Sequence, residues 1–398
     1  MKNLKNTILT FSFLISFYST TQTQYPFKIM AYNVLNLQSS STDRFPYLKK
    51  VIDATLPDLL VLEEVATSAA LTAFKNSVLD GTYACGTFID GEDSDKCICY
   101  KINQFKFISN TPIQTSLRDI NQFKMVHLAT GDTLRVFAVH LKASDSQEDA
   151  LSRNQEIQQL RAVTDQLTLE QDWIVCGDFN LYRSSEGAYQ LLKSPNGSVN
   201  GYVIDPINIT GEWGVAQYAA YHTQSPRYEE FGGGIAGGLD DRFDLILYSK
   251  SIDMPGGLDY VPNSTLPYGN DGQHYNKSIN ALPTNTAVSQ TIADALYYGS
   301  DHLPIIAEFV YTVAGIDENE LTFGKLSPNP TNGLFTLNSV KSFNEVEIFD
   351  LMGKVVSKIS FESAINETSI NVENLNKGVY YIQVSSLNNE YSLKLIKD

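Results

Sequence analysis

The sequence predicts an α/β domain with β-sheets at its core and helices outside, followed by a small all-β domain. Short apolar strands alternate with helical patterns up to about residue 312, and only short strands separated by turn residues follow that point. A length of 398 residues is also more than one hydrophobic core usually serves. We therefore expect one domain at 25–312, a linker at 313–324 and a second domain at 325–398.

The elements of the first domain are predicted from the periodicity of its apolar residues. Strands are predicted at 27–34, 59–62, 97–100, 134–140, 173–176, 243–248 and 305–311. Helical spacing predicts helices at 45–54, 66–79 and 147–167. The composition predicts long loops at 230–240 and 258–285, and loops of this length inside a compact domain usually serve function or are disordered.

The N-terminus has the pattern of a secretory signal peptide, predicted at 1–22. Lys2 and Lys5 precede an apolar stretch at 8–17, and a polar run follows at 19–24. The apolar stretch is shorter than the roughly 20 residues that a membrane span needs, although an N-terminal anchor stays open as an alternative. No other segment of the sequence is long and apolar enough to span a bilayer.

Export through a signal peptide permits disulfides. Cys97 and Cys99 alternate within a predicted strand and share a face, and Cys85 can pair with either of them across a short loop. Cys176 lies in an apolar strand and is predicted to be a buried free thiol. Zinc binding would need a fourth ligand, so the cysteines do not favour a zinc site.

The formal net charge of −16 argues against bulk attraction to polyanions, because proteins that bind DNA through many phosphate contacts usually have a basic face. If the substrate is a nucleic acid, binding must depend on a local cluster of positive groups and on a bound metal ion. Clustered carboxylates suit a hard cation, which prefers oxygen ligands.

The C-terminal strands are predicted at 334–337, 346–349, 354–359, 369–372, 378–384 and 391–396, which favours a small β-sandwich. This domain has no His or Cys, so catalysis is not expected there. The motifs SPNPTNG, IFDLMGK, LNKGVYY and KLIK, in this order between residues 327 and 397, resemble a type IX secretion (Por) sorting domain. The resemblance implies the type IX secretion machinery as a partner and an extracellular or cell-surface location. A carbohydrate-binding sandwich is the alternative.

Six short motifs stand at the ends of predicted strands in the first domain, where α/β folds gather catalytic groups. They are AYNVL at 31–35, DLLVLEEV at 58–65, VHLK at 139–142, GDFN at 177–180, DRFDL at 241–245 and SDHLP at 300–304. In this order they resemble the endonuclease/exonuclease/phosphatase family, which includes DNase I-like nucleases, sphingomyelinases and inositol-phosphate phosphatases. The resemblance implies a two-sheet β-sandwich flanked by helices and metal-dependent hydrolysis of phosphate esters.

The predicted metal ligands are Asn33, Glu64 and Asp301. Glu64 ends a buried apolar strand, where an ionised carboxylate is best compensated by a cation. The family resemblance makes Asn33 and Glu64 the metal pair and Asp301 a further ligand. An all-oxygen site suits Mg²⁺, with Mn²⁺ or Ca²⁺ as alternatives. Strand alternation is expected to point the neighbouring Glu63 the other way.

The predicted catalytic residues come from four of these motifs. Asp178 and Asn180 are two residues apart after a strand and can point the same way into a cleft. The resemblance implies that Asp178 orients or deprotonates the attacking water and that Asn180 donates to a phosphoryl oxygen. It also implies that His302, paired with Asp244, contacts the scissile phosphate, because a carboxylate partner keeps an imidazole cationic. His140 is predicted to be the general acid.

The assignments of Arg118 and of the acidic partner of His140 rest on weaker sequence matches than the other assignments do. Arg118 is predicted to bind the substrate phosphate, because it falls near a phosphate-binding Arg of DNase I-like members; a surface Arg without a role is the alternative. The acidic partner of His140 is expected within 91–95 and is not assigned to one residue.

The leading interpretation is a secreted endonuclease that cleaves DNA, with RNA as a further substrate. A lipid phosphodiesterase is the second reading, for which Tyr260, Leu266, Tyr268 and Tyr275 supply candidate interfacial side chains. A phosphomonoesterase on sugar or inositol phosphates is the third, and a non-enzymatic scaffold is the least favoured. The sequence leaves the oligomeric state open.

Overall fold

The structure is a computed structural model that describes residues 22–91, 93–314, 324–351, 353–386 and 389–398. Nearly all of the predicted signal peptide at 1–22 and most of the predicted linker at 313–324 lie outside these residues, so both stay predictions. The chain divides into two compact units, of which one is Gln24–Val313 and the other contains the C-terminal strands.

The described part of the first unit contains two sheets and several helices. Its strands are β1 (Gln22–Leu37), β2 (Leu59–Val65), β3 (Tyr83–Cys85), β4 (Asp95–Lys101), β5 (Phe105–Ile113), β6 (Ile120–His127), β7 (Thr133–His140), β8 (Asp172–Asp178), β9 (Val203–Ile204), β10 (Asp244–Ser249), β11 (Gly257–Tyr260), β12 (Leu266–Pro267) and β13 (Ile305–Ala314). Its α-helices are α1 (Phe45–Thr55), α2 (Ser68–Ser77), α3 (Gln147–Thr164), α4 (Gly187–Lys193) and α5 (Gln290–Gly299), with a short 3₁₀ helix at Ala216–Tyr221.

The two sheets have defined strand orders. Sheet A runs β11-β13-β1-β2-β4-β3, with β12 also paired to β13. Sheet B runs β5-β6-β7-β8-β10-β9. The parallel pairs β1–β2 and β7–β8 lie inside their sheets, so their carboxyl ends are flanked by other strands rather than by a free edge.

Three hydrophobic clusters arrange sheets and helices in layers. The middle cluster takes Ile29 and Val61 from sheet A and Val136 and Ile246 from sheet B, so the sheets pack face to face. A second cluster covers the other face of sheet A with α1, α2 and α5, and a third covers the other face of sheet B with α3 and α4. The predicted class, a two-sheet β-sandwich flanked by helices, is confirmed.

Strand β7 shows why the central strands have nearly continuous apolar sequences. Val136 and Ala138 face the cluster between the sheets, whereas Phe137 and Val139 face the helices. Successive side chains of a strand point to opposite faces, and both faces are covered here. A polar side chain such as His140 therefore reaches the cleft only from the carboxyl end of the strand.

The predicted strands and helices of the first unit all overlap observed ones. Strands β5 and β6 were not predicted, because Asn, Gln, Lys, Thr and Pro interrupt their apolar pattern. Helix α5 was not predicted either, and the predicted loop at 258–285 contains the short strands β11 and β12. Strands β11 and β12 depend on pairing with β13, and helix α5 depends on packing against α1. The local sequence reveals neither contact.

The second unit is all β within its described residues, as predicted. Its strands are β14 (Gly324–Ser327), β15 (Leu334–Phe349), β16 (Val355–Asn371), β17 (Gly378–Ser386) and β18 (Asn389–Lys397). The order is β14-β15-β17-β18, with β16 paired to β15, and the core includes Phe335, Val346 and Ile382. The predicted short strands at 334–337 and 346–349 belong to one strand, β15, because Asn338, Phe343 and Glu345 between them stay paired with β16 through shifts in register.

The cysteines divide into one disulfide and two thiols. Cys85 of β3 is bonded to its direct partner in β4, Cys99, and Cys97 and Cys176 are buried free thiols. In the part of the chain that the structure describes, no helix is long and apolar enough to cross a membrane.

Candidate active site

Three neighbouring strands of sheet B bring three titratable side chains into one row. The pairing of β7 with β8 places His140 opposite Asp178, and the pairing of β10 with β8 places Asp244 opposite Asp178. Gly177 has φ 127°, and a Cβ there would lie 2.2 Å from the carbonyl oxygen of Val139, so this close approach requires glycine. The strand register itself makes Asp178 the centre of the row.

His302 reaches this row from the segment before β13. Its Nδ1 lies 2.7 Å from Asp244 Oδ2, and its Nε2 lies 3.8 Å from Asp178 Oδ2. Burial alone would lower the pKa of His302, but the charge and hydrogen bond of Asp244, with the charges of Asp178 and Asp301, raise that pKa well above its ordinary value. His302 is therefore a cation near neutral pH that donates Nδ1–H to Asp244. Its Nε2 also lies 2.7 Å from Gln224 Nε2, so the Gln224 amide must turn by about 180° to offer its oxygen as the acceptor of the second proton.

Asp178 has an environment that favours its protonated form more than is usual for a carboxyl. Burial, together with the charges of Asp244 and Glu64, raises the pKa of Asp178 to about 7, although the charge of His302 acts in the opposite direction. The backbone N–H of Asn180 donates to Asp178 Oδ1 at 3.0 Å. A carboxyl with a pKa near neutral can both accept and release a proton at a working pH near 7.

His140 is in the opposite state to His302. Burial, with the positive charges of Arg118 first among its neighbours, lowers the pKa of His140 well below its ordinary value. Its Nε2 lies 3.6 Å from Asp178 Oδ2 and 3.8 Å from Glu64 Oε1, both longer than a hydrogen bond. Its Nδ1 is buried and has no hydrogen-bond partner among the described residues. The imidazole is therefore neutral here, and Asp178 and Glu64 are its nearby carboxylates.

The carboxylates expected near His140 at 91–95 have other partners. Asp93 Oδ2 accepts from Arg118 Nε at 2.7 Å, and Asp95 Oδ2 accepts from the Gly91 N–H at 3.0 Å; residue 92 lies outside the description. Arg118 also donates to the carbonyl oxygen of His140 at 3.2 Å. Arg118 thus fixes the end of β7 and keeps its guanidinium at the cleft.

Asn33 and Glu64 approach from sheet A. Asn33 Nδ2 donates to Glu64 Oε1 at 3.0 Å and to Asp178 Oδ2 at 3.2 Å, while its Oδ1 accepts from the Leu35 N–H at 3.0 Å. Glu64 Oε2 accepts from the Asn36 N–H at 2.7 Å. Glu64 has φ 61°, an uncommon backbone conformation for this residue type, and the β2–β4 register is irregular there. The strand therefore turns Glu64 out of the ladder and toward the cleft.

Asp301 has one oxygen occupied and one free. Its Oδ2 accepts from the Ile235 N–H at 2.7 Å, whereas its buried Oδ1 has no partner within the described residues. An orphaned carboxylate oxygen next to a polar cleft is the kind of atom that a cation or ordered water satisfies.

These oxygen donors fit a hard divalent cation better than a soft one. The described residues contain no group of three or more His, Cys, Asp or Glu that forms a ready metal cage. Mg²⁺ does not need one, since it usually binds through one or two protein carboxylates and keeps several waters. Glu64 and Asp301 supply such carboxylates, and the contacts of Asn33 favour a role in positioning Glu64.

The predicted residues gather at one cleft of about 560 Å³. Those that line it are Glu64, Arg118, His140, Asp178, Asn180, Asp301 and His302. Asn33 and Asp244 are fully buried and lie behind the lining, in contact with Glu64 and His302. The structure thus brings together all of the predicted catalytic, phosphate-binding and metal-binding residues, while their individual roles stay predictions.

Several contacts at the site were not predicted. Gln224 contacts His302, and the Ile235 N–H contacts Asp301. The buried Arg44 donates to the carbonyl oxygens of Val34 at 2.8 Å and Leu35 at 2.7 Å, at the point where β1 leaves its regular pairing. Only the glycine-rich composition around Ile235 marked its segment as functional; Gln224 and Arg44 have no local signal.

Glu63 lies between the sheets and not in the cleft. It is fully buried, and neither of its carboxyl oxygens has a partner among the residues described. Burial, followed by the charges of Asp244 and Asp178, raises the pKa of Glu63 well above its ordinary value. This side chain is therefore a neutral acid beneath the row of His140, Asp178 and Asp244.

Comparison with known proteins gives two family matches. The sequence profile of the endonuclease/exonuclease/phosphatase family matches residues 30–302, and that of the secretion system C-terminal sorting domain matches residues 325–398. No curated protein matches the chain.

Three of the solved structures to which the chain is similar come from D. rerio, human and Bacteroides thetaiotaomicron. D. rerio TDP2 with a single-strand DNA product is 18% identical and covers 71% of this chain and 98% of its own, with a TM-score of 0.49. The human Nocturnin catalytic domain with bound sulfate is 18% identical and covers 72% and 96%, with a TM-score of 0.45. An endonuclease/exonuclease/phosphatase family protein from Bacteroides thetaiotaomicron is 14% identical and covers 73% and 97%, with a TM-score of 0.48.

Proposed function

This chain belongs to the endonuclease/exonuclease/phosphatase family, and from that premise we propose that its first unit is a metal-dependent phosphodiesterase that cleaves DNA as an endonuclease, with RNA as a further substrate. The observation that carries the proposal is the row through Asp178. Its carboxyl, with a pKa of about 7, lies between the cationic His302 and the neutral His140. Glu64 and Asp301 line the same cleft.

The row divides the work of hydrolysis between its members. Ionised Asp178 accepts a proton from the attacking water, for which its near-neutral pKa is suited. His302, held by Asp244, keeps its positive charge against the phosphoryl oxygens. Asn180 lines the cleft and adds an amide donor to the same oxygens.

His140 is the proposed general acid for the leaving oxygen. Its neutral ring in the free protein is a consequence of burial beside positive charges. A bound phosphodiester brings negative charge to the cleft, which favours the imidazolium form. His140 and His302 therefore serve different oxygens because their surroundings push their pKa values in opposite directions.

The proposed metal ligands are Asn33, Glu64 and Asp301, and Asn33 Nδ2 also donates to Glu64 Oε1 and so helps to hold it in place. A divalent cation held by these residues, Mg²⁺ in the first place and Mn²⁺ or Ca²⁺ as alternatives, would neutralise charge on the phosphoryl group and on the leaving oxygen.

The charge of the molecule limits how the substrate is bound. A formal net charge of −16 disfavours broad contact with a polyanion, so we place the phosphate contacts in the cleft, where Arg118 and His302 lie. We infer a substrate contact confined to a few phosphates, with a correspondingly shallow dependence of binding on salt.

The second unit belongs to the secretion system C-terminal sorting domains, which indicates a secreted or cell-surface protein. We propose export by the type IX route, with a signal peptide at 1–22, the enzyme domain at 25–312, a linker at 313–324 and the sorting domain at 325–398.

The lipid alternative has little support from side-chain exposure. Of the four candidate interfacial residues, Leu266 is exposed, whereas Tyr260, Tyr268 and Tyr275 are half-buried. Tyr260 and Tyr268 pack against hydrophobic clusters of the core. A helix or loop that enters a lipid interface usually presents several apolar side chains to solvent.

The proposal is tested by hydrolysis assays on plasmid DNA, RNA, sphingomyelin and a phosphomonoester, each with Mg²⁺, Mn²⁺, Ca²⁺ or a chelator. We expect metal-dependent nicking of plasmid DNA and little turnover of the lipid or monoester. Turnover of the lipid or the monoester with intact DNA would be consistent with the family but would contradict DNA as the substrate. Full DNA cleavage in chelator would contradict the metal site.

A further inference from the structure

The glycine-rich loop at 231–238 is held in a defined conformation despite its composition. At its base, the Ser225 N–H donates to the Gly238 carbonyl oxygen and the Gly238 N–H donates to the Arg227 carbonyl oxygen, each at 3.0 Å. Nearer the tip, Ser225 Oγ donates to the carbonyl oxygen of Ile235 at 2.9 Å. The loop is therefore closed and supported from below.

Arg227 fills the interior of this loop. The side chain is fully buried, and its guanidinium donates to the carbonyl oxygens of Phe231 and Gly233. Asp301 is the first of the charges that act on the guanidinium. These hydrogen bonds fix the loop backbone at Phe231 and Gly233.

The loop meets Asp301 at two adjacent residues. The Ile235 N–H donates to Asp301 Oδ2 at 2.7 Å, and a Cβ on Gly234 would lie 2.6 Å from the same oxygen. This close approach requires glycine, which also tolerates the φ of 82°. Oδ1 of Asp301 is left without a partner among the described residues.

We propose that the 231–238 loop is a positioning element of the cation site, which holds Asp301 Oδ2 through the Ile235 N–H and leaves Oδ1 free for the cation. The inference rests on the proposed function, because it assumes that Asp301 is a cation ligand. Groups that orient a metal ligand commonly change metal affinity by about 10- to 100-fold when they are removed. The loop would thus set affinity without touching the ion.

Two adjacent glycines provide a matched test by calorimetric titration of Mn²⁺ into the chelator-washed full chain. Gly233 and Gly234 have φ of 87° and 82°, but only Gly234 has Asp301 within reach of an added Cβ. We expect Gly234→Ala to weaken Mn²⁺ binding by about tenfold or more and Gly233→Ala to leave it within about twofold. Equal weakening in both would assign the effect to backbone strain and overturn the proposal, as would no effect in either.

A second pair separates the N–H from the side chain if Gly234→Ala does not fold. Ile235→Pro removes the donor to Asp301 Oδ2, whereas Ile235→Ala keeps it. We expect Ile235→Pro to bind Mn²⁺ more weakly and Ile235→Ala to bind it as the wild type does. The thermal midpoint of Ile235→Ala in chelator should be unchanged. Equal Mn²⁺ affinity in the two variants would overturn the role of the N–H.

The variant Asp301→Asn distinguishes failure of this inference from failure of the proposed function. If Asp301→Asn weakens Mn²⁺ binding and the loop variants do not, the loop proposal fails and the ligand stands. If Asp301→Asn leaves Mn²⁺ binding unchanged, the ligand assignment itself fails, and the loop proposal fails with it.

Discussion

The two sheets bring their residues to the cleft in different ways. In sheet B, His140, Asp178 and Asp244 lie in one row because β7, β8 and β10 pair in regular register. In sheet A, Glu64 is turned out of β2 at φ 61°, where the ladder to β4 is irregular. The regular half of the site, in sheet B, follows from regular strand pairing. The irregular half, in sheet A, depends on the break in pairing at Glu64.

The difference separates the proposed proton-transfer groups from the proposed cation ligands. Regular strand pairing fixes the distances between facing residues, which suits side chains that must stay at set distances from one another. Glu64 instead helps to hold the irregular segment, since it accepts from the Asn36 N–H and from Asn33 Nδ2. A substitution in the row should therefore leave the strand register intact and act mainly on the chemistry, whereas one at Glu64 should change both chemistry and local structure.

The largest expected effect is that of Asp178→Asn. Loss of the proton acceptor should lower kcat on plasmid DNA on the order of 10³-fold. The fold should be retained, because the register of β7, β8 and β10 does not depend on this charge. Initial rates and the thermal midpoint, measured side by side, check both halves of the prediction.

Asp240→Asn is the matched control for that variant. Asp240 belongs to the long loop and is only half-buried, and it does not line the cleft. Its kcat should stay within about twofold of the wild type. Comparable losses in both variants would mean that a general change of charge, and not proton transfer at Asp178, reduces the rate.

Glu64→Gln should lower kcat by about 10²- to 10³-fold and weaken Mn²⁺ binding about tenfold. It should also lower the thermal midpoint in chelator, because the amide nitrogen cannot accept from Asn36 or Asn33. Glu63→Gln is the comparison within the same strand, since its raised pKa keeps Glu63 neutral. We expect Glu63→Gln to retain most of the activity; an equal loss in both would remove the distinction between the two glutamates.

The sequence predicted the regular half of the site more fully than the irregular half. The apolar runs before His140 and Asp178 give the strands, and strand ends place both residues at one edge. The sequence motifs also selected Glu64, but nothing in them shows its positive φ or its contact with Asn36. Such features come from contacts between distant segments, which have no local pattern.

The same reason explains the contacts that were missed. Gln224 reaches His302 across 78 residues of sequence, and the Ile235 N–H reaches Asp301 across 66. The neutral state of His140 was also unexpected, because it depends on complete burial and on the neighbouring charge of Arg118. Strand patterns report which face is buried, not which charges surround a side chain.

Loss of the disulfide should affect stability and leave the site intact. Cys85 and Cys99 join β3 to β4 at the edge of sheet A and close a loop with a sequence separation of 14. Cys85→Ser should lower the free energy of unfolding by about 3 kcal/mol, with kcat nearly unchanged. Denaturant unfolding with and without a reductant checks this. If kcat falls together with stability, the irregular half of the site depends on the edge of its sheet.

The last expected effect is on the pH dependence of stability in the metal-free protein. The pKa of Asp178 is raised to about 7 in the folded state, so the folded protein holds this proton more tightly than the unfolded chain does. The resulting stability is complete below the unfolded pKa of about 4 and is lost as the pH rises through the folded value. Relative to Asp178→Asn, the wild type should therefore lose at most about 1.4 kcal/mol per pH unit across that window. Denaturant unfolding of both proteins in chelator at several pH values measures the difference, and parallel curves would show that the row in sheet B does not shift this carboxyl.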